Sequence, residues 1–293
     1  MESHKQISQR KAAVELPLYV RFEEADMFAI LTVPEEPAKG VGVVIAHGRS
    51  DQQSCHRNQV SARFARALAG RGFHVVRFDY PGLSDSSGVS RGFALGISHD
   101  REIVSIVNDL RRRGIERIFL VGYCIGGRSA LAALDHLTGI EGVVMVTSPL
   151  RAPAREAAFL RAIYSRSGGA AEQDGARRST LRKLSLRLLS VGSKLNPSVE
   201  DPIDPMIRRR LAKLMDSNGA ALLLYGDTDT YSDEAREFMA RIAGDQKFNG
   251  VSLNDKTPEP MHGFLSVPAQ EAFLHITLEW LSAKAAAASV NNR

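Results

Sequence analysis

The sequence predicts an α/β fold: a mostly parallel, twisted sheet of about eight strands flanked by helices, with a helical lid inserted. Three observations carry that expectation. Apolar segments of strand length alternate with helix-like stretches along most of the chain. Several of those segments are unbroken Val/Ile/Leu runs, the composition of strands covered on both faces. One long stretch, residues 150–217, breaks the rhythm and carries no strand signal.

The strand segments, in order, are LPLYVRF (16–22), MFAILTV (27–33), VGVVIAH (41–47), FHVVRFDY (73–80), RIFLVGY (117–123), IEGVVMVTS (140–148), AALLLYG (220–226) and KFNGVSL (247–253). Helical stretches fall at 57–71, 97–113, 126–137, 232–243 and 267–286. No helix separates the first two strands, so an antiparallel entry to the sheet is expected. These segments define a sheet core over 16–149 and 218–286, preceded by a loose tail (1–15) and followed by a fraying Ala-rich end (287–293). Within 150–217, Leu181, Leu184 and Leu188 recur at helical spacing with Arg182, Lys183 and Arg187 between them, which predicts a basic helical lid.

The 293 residues are 44% hydrophobic and 24% charged, a globular composition that suits one domain carrying an insertion. No apolar run approaches the ~18 residues of a membrane span, and the polar N-terminus lacks the apolar stretch of a secretory signal, so a cytoplasmic location is expected. Two cysteines predict neither a disulfide framework nor a Cys-based zinc site, and the histidines show no ligand spacing, so no metal or cofactor is expected. The net charge is +5, but residues 151–215 hold 14 Lys/Arg against 6 Asp/Glu, leaving the remainder near −3 (24 against 27). The basic character belongs to one segment. Without aromatic interleaving or a recognisable module it does not suggest nucleic-acid binding.

The chemistry gathers around Gly122-Tyr123-Cys124-Ile125-Gly126, a G-x-nucleophile-x-G pattern with Cys as nucleophile. Such a turn from strand to helix strains the backbone, and side chains two residues before and after the nucleophile would collide there, so glycine is needed at both places. It projects Sγ at the positive end of the next helix, where a thiolate and a developing oxyanion are favoured. The bland reading is a buried structural thiol. Downstream, YGDTD places Asp229 beyond a strand, with Asp227 as the alternative acid, and PMHGF places His262 before the last helix. The order Cys124, Asp229, His262 is nucleophile, acid, base. In these roles His262 handles the thiol proton and Asp229 holds the imidazole tautomer. Oxyanion donors are expected from the N–H of Ile125 and, in the IAHGRSD loop, of Arg49, with His47 bracing that loop. His56, His74, His99, His136 and His275 carry no assigned role.

These motifs give the chain, from about residue 16 to 283, a resemblance to the α/β-hydrolases. FHVVRFDYPGLSDSSG (73–88) is similar to the family's strand-four signature, with Asp79, Gly82 and Ser84 at its key places. The Cys elbow and C-terminal His-Gly-Phe resemble dienelactone hydrolases. Ser54-Cys55-His56-Arg57, the 64–80 run and residues 187–196 resemble exosortase-associated hydrolases. Leu83 departs from the glycine common in relatives, and Cys55 has no elbow around it.

A thiol nucleophile implies a thioester intermediate, which suits a thioesterase acting on a small acyl ester or thioester. An acyltransferase or cyclase would use the same triad with another acceptor, and a non-catalytic relative would bind an acyl ligand or carrier protein. An acidic acyl carrier protein or the phosphates of coenzyme A would be drawn to Arg208, Arg209, Arg210 and the 177–187 cluster, unless these are merely a solvated face.

Overall fold

The structure, a computed structural model, describes residues 13–36, 40–49, 53–55, 57–151, 203–257 and 261–291. Strands β1 (Val14–Phe22) and β2 (Ala25–Val33) form an antiparallel hairpin in register from Val14↔Val33 to Phe22↔Ala25. β2 pairs antiparallel with β4 (His74–Phe78). Every later pairing is parallel, through β3 (Val41–Ala46), β5 (Arg117–Tyr123), β6 (Ile140–Val146), β7 (Ala220–Gly226) and β8 (Val251–Thr257). The strand order is β1-β2-β4-β3-β5-β6-β7-β8. β3 and β7 are buried along their whole length, as their unbroken apolar runs require of strands covered on both faces.

Helix α1 (Val60–Ala69) packs on α6 (Val267–Asn291), and α2 (Asp100–Arg112) packs on α3 (Ile125–Ala133). Between α1, α6 and the sheet lies an aromatic core in which Phe64, Phe119, Tyr123, Phe264 and Phe273 are all buried. Each such ring contributes roughly 1.5–3 kcal/mol by leaving water. The strand order reverses at β3–β5, where Ala46 lies opposite Gly122. At such a reversal the connections leave in opposite directions and open a crevice at the strands' carboxyl ends. The His47 loop and Cys124 both follow directly from those ends.

Four expectations need correction. β1 begins at Val14, inside the expected tail, because its cross-strand pairing continues to Val33. At the other end α6 continues to Asn291, since an Ala-rich run is a strong helix former. The last strand is Val251–Thr257, not 247–253. Gln246–Phe248 forms a 3-10 turn capped by Asp245, whose side chain accepts the Lys247 N–H. Finally, the second compact unit is residues 151–205 rather than 150–217. Helix α4 (Pro205–Asp216) buries Ile207, Leu211 and Leu214, and from Met206 onward the chain belongs with the sheet. The leucine repeat at 181–188 and the 177–187 cluster lie outside the described residues.

The correction changes the meaning of the arginine triplet. Arg210 pairs with Asp135 at 2.8 Å, Arg209 with the same carboxylate at 3.6 Å, and Arg208 with Asp245 at 3.5 Å. Lys213 donates to the Leu134 carbonyl. These cations fasten α4 to the end of α3 and to the loop after helix α5 (Ser232–Ile242). Two carboxylates thus face the three arginines, of which Arg208 and Arg209 remain exposed.

Candidate active site

Cys124 stands between β5 and α3 with φ 51 and ψ −120, a conformation that L-residues rarely hold. Its N–H donates to the Val146 carbonyl at 2.9 Å, and its carbonyl accepts the Gly127 N–H at 3.1 Å. The side chain is half-buried. The motif's second glycine has a steric cause: a Cβ on Gly126 would sit 2.3 Å from the Ala46 carbonyl oxygen and 2.6 Å from that of His47. Both obstacles are backbone, so they cannot swing aside.

The loop after β3 presses on the same turn from the other side. A Cβ on Gly48 would lie 2.1 Å from the Tyr123 carbonyl oxygen and 2.6 Å from the Ile125 nitrogen. The segment carrying Arg49 therefore touches the segment carrying Ile125. His47 closes this loop: its Nδ1 donates to the Arg49 carbonyl at 2.9 Å, and its Nε2 faces Asp79 Oδ1 at 3.9 Å. Asp79 Oδ1 also accepts the Ser54 N–H at 2.5 Å. Burial pushes the Asp79 carboxyl up to about 6, more than its hydrogen bonds to Ser54 and Ser84 pull it down.

Asp229 is buried in the loop after β7, whereas Asp227 on the same loop is exposed. The Asp229 carboxylate gathers three backbone N–H groups: Gly226 at 2.6 Å, Met261 at 3.1 Å and His262 at 3.0 Å. It thereby ties its own strand to the residue expected to be the base. The His262 segment is held from the other side by aromatic packing. Phe264 lies edge-on to Tyr123 with ring centroids 5.5 Å apart, and its carbonyl accepts from Asn58 Nδ2 and Gln270 Nε2, both at 2.9 Å. Tyr123 precedes the expected nucleophile directly, so one ring contact brings the base loop beside the elbow. His262 itself is half-buried, with the Tyr231 ring 6.4 Å away.

Sequence reasoning missed a polar group beneath this arrangement. Tyr225 is fully buried, and its hydroxyl donates to the Ser148 carbonyl at 2.5 Å. Burial, then the nearby charges of Glu234, Asp229 and Cys124, push its ionisation well above the usual tyrosine range. His99, to which no role was assigned, is buried with Nδ1 3.0 Å from Glu102 and Nε2 donating to the Gly92 carbonyl at 2.9 Å. Its neighbours Tyr80 and Phe93 pack against the His47 ring, Tyr80 edge-on and Phe93 tilted, so it supports the loop of Arg49 at one remove. Among the described residues no group of three or more His, Cys, Asp or Glu side chains is arranged to hold a metal ion, and no helix is long and apolar enough to cross a membrane.

The fold is that of the α/β-hydrolases. The sequence profile of the alpha/beta hydrolase family matches residues 43–270, and the chain belongs to that family. Among solved structures it is similar to a proline iminopeptidase of Mycobacterium smegmatis, with 17% identity, TM-score 0.60, and 93% of this chain and 100% of that one covered. It is also similar to the Pyrococcus furiosus esterase Pf2001 (16% identity, TM-score 0.63, 92% and 91% covered). A third is Est1E of Butyrivibrio proteoclasticus, solved with ferulic acid bound (17% identity, TM-score 0.59, 92% and 99% covered). At these identities the likeness is one of fold. No curated protein matches the chain.

Proposed function

We propose that the protein is an acyl hydrolase that works without a cofactor, most specifically a thioesterase, using Cys124 as nucleophile, His262 as base and Asp229 as the acid that orients it. The observation that carries this reading is the Asp229 carboxylate, buried and bonded to the His262 backbone at 3.0 Å. It lies on the loop directly after β7, whose Leu224 carbonyl accepts the Thr147 N–H, while the adjoining Val146 carbonyl accepts the Cys124 N–H, each at 2.9 Å. These contacts support assigning Cys124, His262 and Asp229 to one triad. Asp229 is preferred to Asp227 because only the former is buried against the base loop.

In this mechanism the Cys124 thiolate attacks the acyl carbonyl, and the oxyanion receives the N–H groups of Ile125 and Arg49. The leaving thiolate departs with the proton taken up by His262, leaving an acyl group on Sγ. Water, deprotonated by His262, then releases the acid and restores the thiol. A thioester substrate exchanges one carbon–sulfur bond for another, so the acylation step is nearly balanced in bond energy.

The test is intact-mass spectrometry after incubation with a panel of acyl thioesters and activated esters. A mass gain equal to the acyl group is expected, mapped to Cys124, together with release of the free acid. Full hydrolysis by Cys124→Ala would end the proposal. Transfer of the acyl group to an added amine faster than to water would make the enzyme an acyltransferase instead.

A further inference from the structure

Residues 146–150, where the chain leaves β6, are tied one after another to two different elements. The Val146 carbonyl accepts the N–H of Cys124, and the Thr147 N–H donates to Leu224 of β7, each at 2.9 Å. Ser148 takes the Tyr225 hydroxyl on its carbonyl, while its Oγ fills the space above Gly127, 2.0 Å from where a Cβ would stand. The Pro149 carbonyl accepts from Arg128 Nη1 at 3.1 Å, and the Leu150 N–H donates to Glu234 Oε2 at 3.1 Å. Cys124, Gly127 and Arg128 belong to the nucleophile turn and its helix. Leu224, Tyr225 and Glu234 belong to the strand before Asp229 and the helix after it.

The segment is also conformationally over-determined. Thr147 holds φ 47, which a β-branched residue keeps only under external restraint. Ser148 and Leu150 have no exposed surface, and Glu234 is only 2% exposed. A buried carboxylate in that position is costly unless it is hydrogen-bonded, and it is spent here on a backbone N–H.

We infer that Tyr225, Glu234 and Arg128 are positioning residues, which through residues 146–150 fix the nucleophile turn relative to the strand that presents the acid. The inference rests on the proposed Cys124–His262–Asp229 chemistry but is separable from it. None of the three needs to touch substrate. Their effect is to hold Cys124 where the base expects it, and displacements near 1 Å at such sites cost about a hundredfold in rate.

The experiment compares Tyr225→Phe, which deletes only the hydroxyl, with Arg128→Ala, which releases the Pro149 carbonyl from a half-buried position. Two quantities are measured per folded molecule: kcat and KM on an acyl thioester, and the rate of Cys124 alkylation by iodoacetamide from about pH 5 to about pH 9, resolved by peptide so that Cys55 is counted apart. The expected result is a kcat lowered roughly tenfold to a hundredfold with KM within about twofold, and a displaced alkylation profile. A purely structural role predicts a lower Tm with both readouts unchanged, and that result overturns the inference. If Tyr225→Phe does not fold, Arg128→Ala decides by the same criteria. If the wild-type protein turns over no acyl substrate, the proposed function fails, and the alkylation profile alone decides whether the clamp exists.

Discussion

Replacing Cys124 by glycine should make the protein more stable than replacing it by alanine, the reverse of the usual order. Both substitutions remove Sγ, but alanine keeps the Cβ that makes φ 51, ψ −120 unfavourable. Holding a non-glycine residue there costs on the order of 1–3 kcal/mol. Glycine returns about 0.4–1 kcal/mol of that through the greater freedom of its unfolded chain. The net advantage of Cys124→Gly over Cys124→Ala is therefore roughly 0.5–2 kcal/mol. At about 2 °C per kcal/mol, the sensitivity suited to a chain of this length, Tm should differ by about 1–4 °C. Calorimetry on the two variants at one pH measures it directly. If the alanine variant melts at the same temperature or higher, the turn is not under strain, and the account of why the thiol projects as it does is wrong.

Two further predictions follow from the buried carboxylates. Asp79, moved from 3.8 to about 6 by burial, binds its proton more tightly in the folded chain than in the unfolded one. Between about pH 4 and pH 6 stability should therefore fall as pH rises, by roughly 3 kcal/mol in all, with the penalty complete above pH 6. Asp79→Asn keeps an acceptor for the Ser54 N–H and removes that slope; urea unfolding of both proteins across the window checks it, and parallel slopes would refute the assignment. Asp229→Asn substitutes a donor for one of two oxygens that together accept three N–H groups, so it should cost about 1–3 kcal/mol and slow turnover at least about a hundredfold. Asp227→Asn, on an exposed carboxylate of the same loop, should do neither; the same denaturation and rate measurements apply to both.

Legibility in the sequence tracked how local each cause was. The central strands announce themselves because burial on both faces demands continuous apolar residues, as in VGVVIA and AALLLYG. β8 was placed four residues early because only its first residues are apolar; Asn254, Asp255 and Lys256 belong to a partly exposed edge strand and give no such signal. Helix α4 was included in the insertion because no strand signal interrupts 150–217, and only the fold reveals Asp135 and Asp245 opposite its arginines. The elbow glycines were readable because the turn itself imposes them. Asp229 could be suspected from its place after a strand, but its three N–H donors come from two loops that meet only in the folded chain. Tyr225, Glu234 and Ser148 carry no motif, and topology alone brings them together.

The pairing of Arg151 with Ile203 brings the two ends of the intervening stretch side by side. Residues joined across an antiparallel bridge have Cα atoms about 4.5–5.5 Å apart, a gap that one or two amino acids span. A linker of that length joining Arg151 to Ile203 should preserve their spacing, and circular dichroism of the shortened chain tests whether the eight-stranded sheet still forms.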